Sequence, residues 1–149
     1  MKILHITASY KPAFIYGGPI YSVGALCEAL VKSEVRSLIS ESTHSLLYNL
    51  ELITTLANGK EELPYPSGKI KIVEGVPVRY FKRWTKDHSH FSPALLWHLW
   101  KTAKTFDVIH IHSWWNLVSM GSVLISIIKG IKPIISPRGM LGDYTLCKG

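Results

Sequence analysis

Apolar runs and helical patterns follow one another along most of this chain. A nearly continuous apolar run at residues 2–8 predicts a strand buried on both faces of a parallel sheet. From Pro19 to Lys32, apolar residues recur every three or four positions, which predicts a helix packed on that sheet. Residues 33–49 match neither pattern clearly. A strand and a helix are both open there, and we favour a helix.

The middle of the chain predicts strands and loops without a long helix. Residues 50–55 alternate as a second strand does, and the turn-forming residues of 57–68 predict a surface loop. Two further strand patterns, at 69–73 and 76–81, are separated by a Glu-Gly pair. This spacing predicts a hairpin at or near the edge of the sheet.

In the last third of the chain, helical and strand patterns alternate. Ser92 and Pro93 are typical of the cap and the first residue of a helix. The order that follows is helix, strand, helix and strand, over residues 94–105, 107–112, 116–129 and 133–136. Such alternation predicts one domain, residues 1–149, with a Rossmann-like, doubly wound and mostly parallel α/β sheet. Ligands of such sheets bind beyond the carboxyl ends of the strands.

Composition places the chain among ordinary globular proteins. Of its 149 residues, 47% are hydrophobic and 18% are charged, which argues against a disordered chain. The net charge is +7, but the lysines and arginines are scattered and no nucleic-acid-binding motif is present. We therefore expect no nucleic-acid partner. Nucleotide phosphates, an anionic polysaccharide and acidic lipid headgroups all stay open.

Three features predict a cytoplasmic protein. The first nine residues lack the cleavage pattern of a signal peptide. The longest apolar stretch, residues 117–128, is shorter than the roughly 20 residues that a membrane-spanning helix needs. Cys27 and Cys147 form no paired pattern, and we expect both to be reduced thiols.

Three segments fall at predicted carboxyl ends of strands: the pair Gly17 and Gly18, the turn at 112–116, and residues 137–141. Adjacent glycines before a helix let the backbone approach a ligand, and amides at a helix start favour a phosphate. A simple loop bend is the alternative. The sequence lacks G-x-G-x-x-G, phosphate-loop, G-x-S-x-G and H-E-x-x-H patterns, so the enzyme classes that use them are without their key residues.

Two histidines lie on the strand predicted before the second of these segments. His110 and His112 are two residues apart and therefore share one face of the strand. Such a pair can bind metal, but no third ligand follows at a suitable spacing, and we expect no metal site. His112, the last residue of the strand, is the better candidate for contact with a ligand. Its imidazole could be neutral or charged in that role.

An aromatic pair and an arginine complete the candidate chemistry. Trp114 and Trp115, beside Asn116, could stack on a sugar ring and bond to its hydroxyls. Alternatively the indoles pack under the next helix, and we expect at least one of them to do so. Arg138, between a proline and a glycine, could pair with a phosphate at the rim of a site or form a surface salt bridge.

A second aromatic pair lies on the helix predicted over 94–105. Trp97 and Trp100, together with Lys101 and Lys104, could form a membrane-facing stripe. The alternative, which we favour, is that both indoles pack in the core while the lysines lie in solvent. Peripheral membrane contact is thus a possible partnership and not the expected one.

The same residues carry a family resemblance. The chain resembles the amino-terminal domain of family 4 glycosyltransferases, which have the GT-B fold. No single segment is specific, but the combination is, and it spans nearly the whole chain. The matching segments are MKILHI at 1–6, YKP at 10–12, YGGPIYS at 16–22, DVIHIH at 107–112 and SPRGML at 136–141.

This resemblance implies a hexosyltransferase in which two Rossmann-like domains face each other across a cleft. The first domain binds mostly the acceptor, a glycan or a lipid-linked sugar, and the second binds most of the nucleotide-sugar donor. Transfer retains the anomeric configuration, and neither a metal nor a cofactor is implied. Such enzymes commonly build polysaccharides at the cytoplasmic face of the membrane.

The resemblance also implies roles for individual residues. Gly17, Gly18 and Arg138 would contact the donor phosphates, and His112 would lie beside the reacting sugar as the catalytic residue. The acceptor side would be formed by Tyr16, Trp114, Trp115 and Asn116.

Two departures from the family pattern bear on these implications. Residues 33–49 do not match the short turn into the second strand, and the chain ends at Gly149, before the paired-glutamate domain that holds the nucleotide sugar. We therefore expect an incomplete half that is inactive alone: a fragment, a truncated reading frame or a subunit that needs a partner. The alternative function is a non-catalytic module that binds carbohydrate or nucleotide.

Overall fold

The computed structural model describes residues 1–39 and 49–138 of the chain. Within these residues the protein has three α-helices and one main sheet, with short 3-10 turns at Phe14–Tyr16 and Ala103–Thr105. The elements in chain order are β1 (Lys2–Ile6), α1 (Gly18–Ile39), β2 (Asn49–Thr55), β3 (Ala57–Asn58), β4 (Glu61–Glu62), β5 (Ile70–Val73), β6 (Val76–Phe81), α2 (Pro93–Thr102), β7 (Val108–His112), α3 (Leu117–Ile128) and β8 (Pro133–Ser136).

The main sheet has six strands in the order β5-β6-β2-β1-β7-β8. All neighbouring pairs are parallel except the β5–β6 hairpin, which is antiparallel and forms one edge. β1 is central, and its register against β7 pairs Ile3 with Val108 and His5 with His110. The predicted α/β class with a mostly parallel sheet and an edge hairpin is therefore confirmed, and the architecture is compatible with a Rossmann-like fold.

The boundaries differ from the sequence prediction in two places. α1 does not end at Lys32 but continues to Ile39, because residues 33–39 include good helix formers and no glycine or proline stops the helix. Residues 40–48 lie outside the described part of the chain. The loop predicted over 57–68 contains a two-stranded ribbon, β3 with β4, whose turn includes Gly59 at a φ of 66°.

Two apolar clusters hold the helices on opposite faces of the sheet. On one face, α2 contributes Leu95 and Leu99 to an aliphatic cluster with β1 and β7. On the other face, α1 contributes Val23 and Cys27 to a cluster that includes the rings of Tyr10 and Tyr80 and residues of β2 and β6. Ser92 caps α2 as predicted, since its hydroxyl accepts the Leu95 amide at 3.3 Å.

Cys27 is a free thiol, fully buried, and burial raises its pKa to about 12. A thiol with that pKa stays protonated and unreactive at neutral pH. The prediction of a reduced thiol at Cys147 concerns a residue outside the described part of the chain.

The two tryptophans of α2 differ from the expectation of core packing. Trp97 is 61% exposed and Trp100 is 38% exposed. The buried side of α2 is formed by Leu95 and Leu99, and this leaves the indoles on the opposite side of a short helix. The prediction that both tryptophans pack in the core is therefore wrong. In the described residues, no helix combines the length and the apolar character that crossing a bilayer requires.

Candidate functional site

The carboxyl ends of β1 and β7 open into a cavity of about 210 Å³. The loop after β1 and the turn after β7 form two of its walls, and the segment between β6 and α2 forms a third. All three segments follow parallel strands, so they emerge at the same edge of the sheet. The lining residues are Thr7, Ala8, Ser9, Tyr16, Pro19, His88, His90, Ser113, Trp115 and Asn116.

The glycine pair lies between two residues that line this cavity, Tyr16 and Pro19. Gly17 has a φ of 66° and a ψ of −135°, a conformation open essentially to glycine alone, and α1 begins at Gly18. A Cβ added at either position would meet no heavy atom within 4 Å. The backbone here therefore borders free space at the start of a long helix. The Gly17 amide donates to the Phe14 carbonyl and the Ile20 amide to the Gly17 carbonyl, and Pro19 has no N–H, so the Gly18 amide is the candidate donor to an anion among these residues.

Tyr16 is fixed by neighbouring elements of the fold. Its hydroxyl accepts the Gly59 amide at 2.9 Å, and its ring meets the ring of His90 edge-on at 5.3 Å between centroids. Tyr16 thus connects the loop after β1 with the β3–β4 turn and with the segment before α2. Because it is both held and partly accessible, it can present a ring face to a ligand in the cavity.

Behind the cavity, three histidines form a cluster on one face of β1 and β7. His5 joins His110 and His112 because β1 and β7 pair side by side with His5 opposite His110. The Nδ1 of His5 and the Nε2 of His112 are 2.9 Å apart, and their rings stack with centroids 5.2 Å apart. His110 bonds through Nε2 to the hydroxyl of Ser136 on β8 at 2.7 Å.

All three imidazoles are neutral at physiological pH. Burial is the main cause that lowers the pKa of His5 to about 3 and that of His112 to about 2, and the neighbouring histidines and Arg138 lower both in the same direction. Burial and Arg138 also lower the pKa of His110. The sequence left the charge state of His112 open, and its low pKa favours the neutral ring.

Arg138 lies directly on His112. Its Nε and Nη2 are 3.4 and 3.3 Å from Nδ1 of His112. An arginine can only donate, so Nδ1 accepts and the proton of the neutral His112 ring is on Nε2. That proton then points to Nδ1 of His5, which leaves the His5 proton on Nε2. The result is a directed relay from Arg138 through His112 to His5.

The end of this relay is unsatisfied. The Nε2 of His5 is buried and has no hydrogen-bond partner in residues 1–39 and 49–138. A buried donor without a partner costs free energy, so it is retained only where other contacts fix the ring. Stacking on His112 and the register of β1 provide that fixation here.

The same three rings are a group of side chains that could hold a metal ion. One ligand nitrogen from each of His5, His110 and His112 lies within 4.8 Å of the others. The spacing argument against a third ligand is therefore wrong, because the third histidine comes from a distant strand. Two features oppose a divalent cation: the His5–His112 pair already uses its facing nitrogens in a hydrogen bond, and Arg138 places a positive charge beside the cluster.

The structure places the remaining predicted residues in different ways. The ring of His112 is fully buried under Arg138 and does not line the cavity. Trp115 is exposed and lines it, whereas Trp114 is partly buried. Asn116 lines the cavity and also caps α3, since its Oδ1 accepts the Ser119 amide at 2.8 Å. Arg138 is at the same edge, and residues 139–141 of that segment lie outside the described part.

The sequence analysis missed the histidines His5, His88 and His90, and it did not single out the lining residues Thr7, Ala8 and Ser9 that follow β1. His88 and His90 follow β6, and any segment that follows a parallel strand emerges at this edge, so the order of elements contained a usable signal. Ser89 ties the segment to α3, because its carbonyl accepts the Leu117 amide at 3.0 Å. For His5 the signal was hidden within an apolar run.

Backbone strain is concentrated at the same edge. Of the four non-glycine residues with positive φ in the described residues, three belong to this site: His90 at 49°, Ser113 at 73° and Arg138 at 52°. Such conformations are uncommon outside glycine and cluster at functional sites. Their coincidence with the cavity and the relay points independently to this edge as the functional part of the molecule.

A second cavity of about 580 Å³ continues from the first and shares Tyr16, His88 and His90 with it. Lys60 and Lys86 lie on its wall, with Asp87 as the acidic residue among the lining groups. The combined surface is open, basic and partly aromatic. It can hold an anionic or hydroxyl-rich ligand.

Comparisons with protein-family models, with curated proteins and with solved structures gave no match to this chain. The class defined by fold and site is therefore that of an α/β domain with a mostly parallel sheet and a ligand cavity at the carboxyl edge of its central strands.

Proposed function

We propose that this chain is the amino-terminal, acceptor-side domain of a retaining glycosyltransferase of the GT-B type. It would act with a carboxyl-terminal domain that binds the nucleotide sugar, and the acceptor would be a glycan or a lipid-linked sugar. The observation that carries the proposal is the meeting of three loops at one edge. Tyr16 and Pro19, on either side of the glycine pair, line a cavity with Trp115, while Arg138 is held on His112 at the same edge.

Each part of this edge suits one part of a nucleotide sugar. The open space at Gly17 and Gly18 and the Arg138 guanidinium suit the diphosphate, since the Gly18 amide at the start of α1 and a fixed guanidinium can both donate to phosphate oxygens. The ring faces of Tyr16 and Trp115 suit a sugar of the acceptor. A cavity of about 210 Å³ is smaller than typical ligand pockets, as expected of one wall of a cleft between two domains.

The neutral state of His112 sets its role in this proposal. A buried imidazole with a pKa of about 2 does not carry a positive charge to the donor phosphates. It instead accepts a hydrogen bond from Arg138 and fixes the direction of the guanidinium. In the domain as it stands, Arg138 is the group that would meet the donor, and His112 is a positioning residue behind it.

Nucleotide binding tests the donor part of the proposal. Uridine and guanosine diphosphates and their sugars are titrated into the chain by calorimetry, and into the variant Arg138→Gln. We expect weak binding that falls about tenfold or more in the variant, because a charge-assisted contact to phosphate is lost. The variant Lys69→Gln, which removes an exposed charge next to β5, is the matched control and should bind as the parent does.

Restored activity tests the enzyme itself. The chain is fused to a carboxyl-terminal domain of a family 4 glycosyltransferase, and sugar transfer is followed with anomeric analysis of the product. Transfer with retention, lost in Arg138→Gln, would support the proposal. Two folded halves that neither transfer sugar nor bind nucleotide would overturn it.

The burial of His112 favours a second candidate function. A domain whose catalytic candidate cannot reach its cavity could be a non-catalytic module that binds carbohydrate or nucleotide, with Trp115 as the stacking surface. Glycan binding by the chain alone that is abolished by Trp115→Ala and unchanged by Arg138→Gln would select this function over the first.

A further inference from the structure

The outer surface of α2 and α3 is apolar over two adjacent helices. On α3 the exposed residues recur every three or four positions, so they lie on one side of the helix. On α2 the exposed pair is Trp97 and Trp100. We call these residues together the α2–α3 outer surface: Trp97, Trp100, Leu117, Met120, Leu124, Ile127 and Ile128, all among the exposed large hydrophobic residues.

The two helices form one continuous surface because they approach closely. A Cβ added at Gly121 of α3 would lie 2.9 Å from a methyl group of Leu96 on α2, so the Leu96 side chain packs directly against the α3 backbone at this glycine. The Nζ of Lys129 on α3 is 3.8 Å from the centroid of the Trp100 ring on α2. An apolar groove, lined in part by Trp97 and Ile125, runs between the helices.

The charge of this surface has one sign. Residues 93–105 and 117–132 contain four lysines and no aspartate or glutamate. Lys101 lies over the Trp97 ring at 4.9 Å, and Lys129 lies over Trp100. Each indole is thus accompanied by an ammonium group. Exposed tryptophans with adjacent lysines are typical of segments that lie in the headgroup region of a membrane.

We propose that the α2–α3 outer surface docks the protein on the surface of an anionic lipid bilayer. The indoles and the stripe on α3 would enter the boundary between headgroups and acyl chains, while the lysines contact acidic headgroups. The helices lie parallel to the bilayer and do not cross it. This inference rests on the exposed residues alone and is independent of the proposed sugar transfer.

A second copy of the chain is a poorer occupant of this surface. A twofold dimer brings the same lysine-bearing surface of both partners into one interface, where residues 93–105 and 117–132 provide no carboxylate to offset the positive charge. The net charge of +7 adds to that repulsion. An anionic lipid surface offers acidic headgroups to the lysines and an apolar layer to the exposed hydrophobic side chains.

Vesicle binding tests this inference. The chain is mixed with vesicles of phosphatidylcholine alone and with vesicles of phosphatidylcholine and phosphatidylglycerol, and binding is measured by co-sedimentation and by the blue shift of tryptophan fluorescence. We expect binding to the anionic vesicles, weakened by salt. The double variant Trp97→Ala/Trp100→Ala should weaken it at least about tenfold, because both indoles leave water on docking.

Matched controls separate this surface from general attraction. Trp84→Ala removes an exposed tryptophan elsewhere and should leave binding unchanged. Lys101→Glu/Lys104→Glu should reduce binding to anionic vesicles strongly, whereas Lys69→Glu/Lys71→Glu, beside and on β5, should reduce it only slightly. Thermal unfolding verifies that each variant is folded.

Three outcomes would overturn the inference. The first is no binding to anionic vesicles by the folded parent chain. The second is equal loss of binding in the β5 lysine variant and in the α2 variants, which would indicate only the net charge. The third is self-association that Trp97→Ala/Trp100→Ala abolishes, without any vesicle binding, which would assign the surface to a second copy.

Discussion

The two faces of the β1–β7 pair have opposite chemistry, although they belong to the same ten residues. On the face covered by α2 and α3, every inward side chain is aliphatic: Leu4, Ile6, Ile109 and Ile111. On the other face, His5, His110 and His112 form a polar cluster. Successive side chains of a strand point to opposite faces of the sheet, so aliphatic residues and histidines alternate along β1 and β7. The same two strands therefore contribute to the hydrophobic core and to the candidate site.

The difference shows how the site is kept in place. The aliphatic face is fully buried and close-packed, and it fixes the register of β1 on β7. That register brings His5 to His110 and His112. The imidazole face has few hydrogen bonds, and Nε2 of His5 has no partner in the described residues. The packing of the aliphatic face on the other side of the strands therefore keeps the three rings in position.

The largest effect should come from the aliphatic face. Ile111→Ala removes a fully buried side chain, and we expect the free energy of unfolding to fall by about 2–5 kcal/mol in urea denaturation. Ile134→Ala on β8, where the side chain is exposed, should change it by less than about 0.5 kcal/mol. Equal costs for the two variants would contradict the division between the faces.

The imidazole face should make the fold sensitive to acid. The pKa values of His5 and His112 are lowered from 6.5 in the folded state, so the unfolded chain binds protons first as the pH falls. The contribution of these two neutral rings to the free energy of unfolding is therefore fully present above pH 6.5. It decreases from there toward pH 3, by up to about 1.4 kcal/mol per pH unit for each ring.

The variant His5→Gln isolates this effect, because glutamine can accept a hydrogen bond but does not titrate in this range. Its stability should depend on pH less steeply than that of the parent, by about 1.4 kcal/mol per unit at most. Urea denaturation at several pH values between 4 and 7 measures both slopes. Parallel curves would show that His5 does not contribute to the acid sensitivity.

The smallest effect on stability should come from the outer end of the relay. Arg138→Gln removes a positive charge near His110, so the pKa of His110 should rise, as followed by NMR titration of its ring protons. The free energy of unfolding should change by less than about 0.5 kcal/mol, since Arg138 is partly accessible. A His110 pKa that stays the same would place Arg138 away from the cluster in solution.

Most of the fold could be predicted because its elements carry local signals. The apolar strands, the Ser92-Pro93 start of α2 and the hairpin before it are marked by their own residues. The exposure of Trp97 could not be predicted, because a helix gives the same periodicity whether an indole faces the core or the solvent. Which side is covered depends on the packing of α2 on the sheet.

The site was predictable in its position but not in its chemistry. Loops after parallel strands must meet at one edge, and the glycine pair and Trp115 lie there. His5 could not be linked to His112, because the link needs the register between two strands that are distant in the sequence. The sugar-transfer function stays a prediction.

The central place of β1 has a consequence for synthesis in the cell. β1 is translated well before its neighbour β7, which begins about 100 residues later in the chain. At about 5–20 residues per second, roughly 5–20 s pass before that neighbour exists. During this interval an apolar strand and its unpaired edge are open to other chains, so the nascent protein should depend on ribosome-associated chaperones more than a protein built from local hairpins.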